Sequence, residues 1–209
     1  MVVITSLDDL RAGKRLQGEA IAMRVVNGPA TISNDDFDEV LYVLEEDSGL
    51  LLPAGAEFEL GNVTAVGVAA PPSRRRTGRP EAGAPVRLED VPVQQTGDRW
   101  YRELIQSEIT QFVGSIPPGR APDHFHLYEE MLCILKGSGF LWAGKSKTPI
   151  RPGACVYLPK RQVHCVENTT SDELRLLGVF YPAGSPAVRY GVENTADNAP
   201  DQRELDRRK

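Results

Sequence analysis

Histidine is among the scarcest residues in this chain: three occur in 209 residues, alongside three cysteines, three methionines and two tryptophans. Three cysteines (Cys133, Cys155 and Cys165) do not make a disulfide framework in a chain this size, so a reducing, cytoplasmic setting is expected. Cationic excess is missing as well. Twenty-four Lys and Arg stand against 29 Asp and Glu, for a net charge of −5, which gives no electrostatic reason to expect nucleic acid or an anionic membrane as partner. Long apolar runs are absent: the early stretch "GLLLPAGAEF" is interrupted and too short to span a bilayer. The opening "MVVITSLDDLRAGKRL" lacks the basic segment, apolar stretch and cleavage site of a secretory leader, so none is expected. A P-loop, a dinucleotide fingerprint, a GxSxG elbow and zinc-finger spacing are likewise missing.

Glycine (19) and proline (16) are plentiful, and they punctuate short segments rich in Val, Leu, Ile, Phe and Tyr. Examples are "GEAIAMRVV", "EVLYVLEE", "SEITQFVGSIPP", "EMLCILKGSGFLWAG", "GACVYLPK" and "LRLLGVFYP". Short strands with frequent turn signals predict an all-β sandwich or barrel. Helical periodicity is weak, and "SLDDLRAGKRL", with Ser6 as N-cap, is its best candidate. The stretch 71–85, "PPSRRRTGRPEAGAP", reads as a linker or surface loop, with the arginines at 74–76 solvated. The charged end, 191–209, has little to bury and is expected to be a flexible tail.

The two sides of the linker resemble each other. "FDEVLYVLEEDSG" (37–49) matches "YEEMLCILKGSG" (128–139), with Glu39 opposite Glu130. "AGAEFEL" (54–60) matches "PGACVYL" (152–158), and "VGVAAP" (66–71) matches "LGVFYP" (177–182). Three matches in one order predict two copies of one β unit, the first shortened. The expected division is 1–85 for a degenerate copy and linker, 86–190 for the second barrel, and 191–209 for the tail.

All the histidine falls in the second copy. His124 and His126, in "PDHFHLYEE", share one face of an extended strand, roughly 6.6–6.8 Å apart. An antiparallel hairpin returns the Glu130 carboxylate to that face, and His164, in "PKRQVHCVEN", enters from a separate strand. Three nitrogens and one oxygen suit Mn, Fe, Ni, Cu or Zn and are too nitrogen-rich for Ca or Mg. Glu129 is out of phase with Glu130, and solvent exposure is expected for it. Cys133 and Cys165 are out of phase too and read as packing residues. Tyr157 and Trp142 are candidates for the pocket lining. Arg161 is a candidate for holding a substrate carboxylate at the barrel mouth.

This pattern resembles the cupin superfamily. Gly119, His124, His126, Glu130 and Gly137 match its first motif, with four residues instead of five after the first glycine. Gly153, Pro159, His164 and Asn168 match the second, with Arg161 where the family has glycine. The likeness covers Gly114 to Tyr190 closely and the first half only through the repeat. It implies a double-stranded β-helix (cupin jelly roll), two copies in one chain. It also implies that His124, His126, Glu130 and His164 hold one divalent transition metal, Fe or Mn preferred, with Ni, Zn or Cu as alternatives. The first copy has Ser33 and Asp35 opposite the HxH pair and nothing opposite His164, so it is expected to be metal-free.

The implied function is that of a metal-dependent enzyme acting on a small-molecule substrate. A dioxygenase-type oxidoreductase, like the quercetin and gentisate dioxygenase branch, is preferred. Non-redox hydrolysis, isomerisation or decarboxylation, as in ureidoglycine aminohydrolase, is the alternative, and a non-catalytic binding cupin is the third. Cupins commonly pair through sheet edges, which implies a homodimer.

Overall fold

The computed structural model of the chain describes residues 1–72, 81–188 and 190–191. The arginine run at 74–76, most of the linker and all but the first residue of the expected tail lie outside the described residues. Among those described, no helix is long and apolar enough to cross a membrane.

The chain opens with β1 (Val3–Ser6) and a single helical turn, α1 (Leu7–Arg11). Ser6 caps that turn as expected, its Oγ accepting from Asp9 N at 3.1 Å. The first copy then runs β2 (Leu16–Gln17), β3 (Ala22–Asn27), β4 (Ala30–Ser33), β5 (Asp38–Val43), β6 (Ser48–Leu52), β7 (Glu57–Leu60) and β8 (Thr64–Ala70). With β9 (Val86–Arg87) it forms a six-stranded sheet, β2-β3-β8-β5-β6-β9, facing the β4-β7 ribbon. A 3-10 turn at Leu88–Asp90 leads into the second copy.

The second copy comprises β10 (Gln94–Thr96), β11 (Arg99–Gln106), β12 (Thr110–Ile116), β13 (Gly119–Arg120), β14 (His124–Phe125) and β15 (Glu129–Lys136). It continues with β16 (Gly139–Ala143), β17 (Ser146–Ile150), β18 (Ala154–Leu158), β19 (His164–Asn168), β20 (Leu174–Tyr181) and β21 (Tyr190–Gly191). One sheet is ordered β1-β18-β15-β20-β12-β11-β10 and the other β17-β16-β19-β14-β21, with β13 also on β19. The first strand of the chain therefore belongs to the second barrel: Val3 lies opposite Tyr157 and Ser6 opposite Ala154.

Two of the three repeat matches hold strand for strand. Glu39 and Glu130 sit at the starts of β5 and β15, and Gly67 and Gly178 lie opposite Leu41 and Leu132. The third does not. "AGAEFEL" contains β7, which pairs with β4, whereas "PGACVYL" contains β18, which pairs with β15. The neighbour of β5 in the place of β18 is β6, and the likeness of the two segments is that of any turn entering a strand.

Each copy encloses its own apolar cluster: Ile32, Leu41, Val43, Leu50 and Leu60 in the first, and Phe112, Leu132, Ile134, Leu158, Leu176 and Phe180 in the second. A third, larger cluster joins the two big sheets face to face, with Met23, Val40, Tyr42, Val66 and Val68 meeting Val113, Met131, Cys133, Cys155, Leu177 and Val179. The two-residue period of β15 sends Leu132 and Ile134 into the barrel and Met131 and Cys133 into this interface.

Glu129 follows the same phase, and here the expectation of solvent exposure is overturned. It points away from Glu130 but is fully buried at the seam between the copies. Its carboxylate accepts from Glu19 N at 2.9 Å, from Ala20 N at 3.1 Å and from the Tyr157 hydroxyl at 3.1 Å. A polar residue on an inner sheet face is covered whenever a second sheet packs there, and the phase of one strand does not report that second layer. Glu129→Ala would leave two backbone N–H groups and a phenol without this acceptor. It is expected to cost about 3–5 kcal/mol, readable as a drop in the denaturation midpoint, with Glu129→Gln losing less.

Candidate metal centre

The histidines arrive on two neighbouring strands of the smaller sheet. His124 in β14 lies directly opposite His164 in β19, and the ring centroids are 4.5 Å apart. His126 follows two residues later, its centroid 5.0 Å from that of His124. The ligand nitrogens of the three lie within 4.8 Å of one another, so the triad could hold a metal ion. Glu130 comes from the opposite sheet. Its Oε2 is 3.2 Å from His164 Nε2 and 3.9 Å from His126 Nε2. The structure thus brings all four sequence-predicted ligands to one place.

Second partners set the protonation of the rings. His124 Nδ1 lies 3.0 Å from Pro122 O, His126 Nδ1 3.0 Å from Val188 O, and His164 Nδ1 2.8 Å from Gln162 O. A carbonyl only accepts, so each Nδ1 is the donor and the neutral ring carries its lone pair on Nε2. Three lone pairs and a carboxylate then converge. Glu130 Oε2 is buried without a hydrogen-bond partner, although His164 Nε2 is near. Such an oxygen costs free energy unless a cation or proton meets it, and the donor set fits a divalent transition metal.

In the absence of an ion, a proton does this work. Burial pulls the His164 pKa down, but the Glu130 carboxylate outweighs it, so His164 titrates above the usual imidazole value. Burial likewise pushes Glu130 up, and the neighbouring imidazoles, His164 foremost, more than offset it, leaving its pKa lowered. His124 goes the other way: burial first, and then His164, hold it well below the ordinary imidazole range.

The site opens on a cavity of about 100 Å³ inside the second barrel, walled by Phe112, Leu132, Val166, Leu176 and Phe180, with Arg99, Thr96 and Tyr101 also lining it. Arg161, Tyr157 and Trp142 are not among its lining residues. Tyr157 faces the seam, where it donates to Glu129. Trp142 lies on the outer face of its sheet, its indole N–H donating to Glu167 and the Arg120 guanidinium 4.3 Å above its ring. The Arg161 side chain is exposed. Its backbone carries the structural role instead: φ is +63°, and its N–H donates to His126 O at 2.7 Å. A left-handed residue is needed there, which accounts for glycine in the family pattern and costs arginine roughly 1–2 kcal/mol.

Sequence reasoning missed Tyr128 and Phe180. The Tyr128 ring stacks on His126 at 4.9 Å and 14°, and its hydroxyl donates to Ser185 O at 2.8 Å and to Val188 O at 3.2 Å. Phe180 lies opposite Glu130 on the next strand, its ring 5.1 Å from that of His126. The alternation of "LRLLGVFY" carried the signal for Phe180; nothing local marked Tyr128.

Comparison with known proteins agrees with this architecture. Residues 112–180 match the model of the cupin domain. A curated relative, an uncharacterized protein of Aquifex aeolicus, is 28% identical over 109 residues, covering 49% of this chain and 88% of its own. Among solved structures, a putative glyoxylate-induced protein of Pseudomonas aeruginosa superposes with a TM-score of 0.65 at 12% identity, covering 88% of this chain and 89% of that one. The salicylate 1,2-dioxygenase of Pseudoaminobacter salicylatoxidans superposes with a TM-score of 0.61 at 8% identity, covering 86% and 82%. Residues 112–180 of the second jelly roll thus match the cupin domain, and the tandem jelly rolls share the fold of these solved structures.

Proposed function

We propose that the second copy is a metal-dependent enzyme of dioxygenase type, in which His124, His126, Glu130 and His164 hold one divalent transition metal, Fe or Mn by preference. The observation that carries the reading is the orphaned Glu130 oxygen facing three imidazoles whose lone pairs are turned inward by carbonyl partners. Such an ion would supply a Lewis acid and, as Fe or Mn, a redox centre for a small organic substrate and O₂.

The composition of the cavity favours oxidation over the non-redox alternatives. Hydrolysis and isomerisation need a group that moves a proton at the substrate. Among the described lining residues the titratable groups are the four ligands, Arg99 and Tyr101, and the Tyr101 hydroxyl donates to Gln94 at 2.9 Å. With the ligands committed to an ion, the walls offer apolar enclosure and little acid–base chemistry. The shared fold with a salicylate dioxygenase is consistent with this reading and supports it by architecture alone.

Elemental analysis of the purified chain is expected to find close to one transition metal per chain, and His126→Ala to lose it. Metal absent from supplemented wild type, or retained by the variant, would sink the ligand set. Metal binding is also expected to release a proton. The raised His164 pKa means that the proton is held below that value and must leave for the ion to enter, so affinity falls about tenfold per pH unit on acidification below it. Titration calorimetry in buffers of different ionisation enthalpy counts that proton. For the reaction class, an oxygen electrode with chelating diketones and catechols should show uptake that depends on the metal; silence with every chelator would favour the non-redox reading.

A further inference from the structure

The three imidazoles are not oriented in the same way. His124 and His164 each meet a carbonyl two residues earlier in their own segment, Pro122 O and Gln162 O. His126 meets Val188 O, 62 residues further along the chain. Two rings are therefore set locally, as their strands form, and the third depends on a remote segment coming to it.

That segment is a strap, residues 182–188, which leaves β20 after Tyr181 and leads to β21, where Tyr190 lies opposite Phe125 of β14. Thr110 Oγ1 donates to Gly184 O at 2.8 Å and accepts from Gly184 N at 3.2 Å. The Val188 N–H closes a turn on Ser185 O at 3.0 Å, and that turn presents both carbonyls to the Tyr128 hydroxyl. Gly184 seats on the same tyrosine: a Cβ there would fall 2.2 Å from the Tyr128 ring.

Tyr128 thus meets His126 twice. Its ring stacks on the imidazole, and Phe180 packs on both, 4.5 Å from the phenol and 5.1 Å from the imidazole. Its hydroxyl, at 3.2 Å, shares Val188 O with His126 Nδ1 at 3.0 Å. Stacking fixes the plane of the imidazole, and the shared carbonyl fixes which nitrogen carries the proton. Outer partners of this kind are worth about 10–100-fold in metal affinity. We propose that Tyr128 is a positioning residue for the metal centre: it seats the strap and holds the His126 imidazole with its Nε2 lone pair turned toward the other ligands. The effect on an ion rests on the metal reading above; the hold on the imidazole stands on the chain alone.

The test reads the ring nitrogens directly by NMR. With three histidines in the chain, isotopic labelling of histidine nitrogen gives three pairs of ring signals, and His126→Ala identifies one pair. In the EDTA-treated full chain, at a pH where every ring is neutral, wild type is expected to show His126 protonated at Nδ1. Tyr128→Phe keeps the stack and loses the hydroxyl. It should move the His126 tautomer ratio toward Nε2–H by about fivefold, leaving the His124 and His164 signals in place. Tyr128→Leu should move the ratio further. Zinc affinity, measured by competition with a chelating indicator, should fall about tenfold in Tyr128→Phe. An unchanged His126 ratio in Tyr128→Phe overturns the proposal, as does movement of all three rings together, which would mark general loosening of the barrel. A shifted ratio with unchanged zinc affinity overturns the role at the metal. Wild type that binds no zinc would overturn the metal reading, and the metal-free ring signals would still decide this one.

Discussion

The two-residue period of one strand organises the second copy. In β15 consecutive glutamates leave on opposite faces, both effectively buried, and each meets a different need. Glu130 turns into the barrel toward three imidazoles, while Glu129 turns out and accepts from the backbone of the segment entering the first copy. A register slip of one residue would exchange them, placing an orphaned carboxylate at the seam and a wrongly aimed one in the cavity. The seam and the site are therefore specified by the same strand.

The first copy shows what happens to the same frame without histidine. Glu39 occupies the place of Glu130 and is as deeply buried, but Arg24 meets it in a two-pronged ion pair at 2.7 and 2.6 Å. Arg24 lies opposite Gly67 as Phe112 lies opposite Gly178. Both glycines are needed, because a Cβ at Gly178 would fall 2.2 Å from the Phe112 ring and one at Gly67 2.2 Å from Glu39 Oε1. A guanidinium thus satisfies in the first copy the kind of carboxylate that stands beside three lone pairs in the second.

Much of this was legible in the sequence, since strand phase and turn punctuation are local. The Ser6 cap, the inward set of His124, His126 and Glu130, and the likeness of β5 and β8 to β15 and β20 are read from spacing alone. What escaped reading depends on a second layer or a remote partner. The burial of Glu129 comes from the sheet packed over it, and the stacking of Tyr128 on His126 is fixed by carbonyls at Ser185 and Val188. Arg161 illustrates a third kind of failure: its side chain suggested chemistry, whereas the position demands a left-handed backbone.

The pairing of β1 with β18 has a consequence for how the molecule is made. Residues 3–6 are the first of these strands to emerge from the ribosome, and their partner lies at 154–157. Residues 3–6 must wait, unpaired, while about 150 further residues are synthesised at some 5–20 residues per second. The first barrel can fold in that interval, but the seven-stranded sheet cannot acquire its outermost strand until β18 has formed. The second copy is thus closed by a strand that precedes the first copy in sequence, and the two copies are tied together through it.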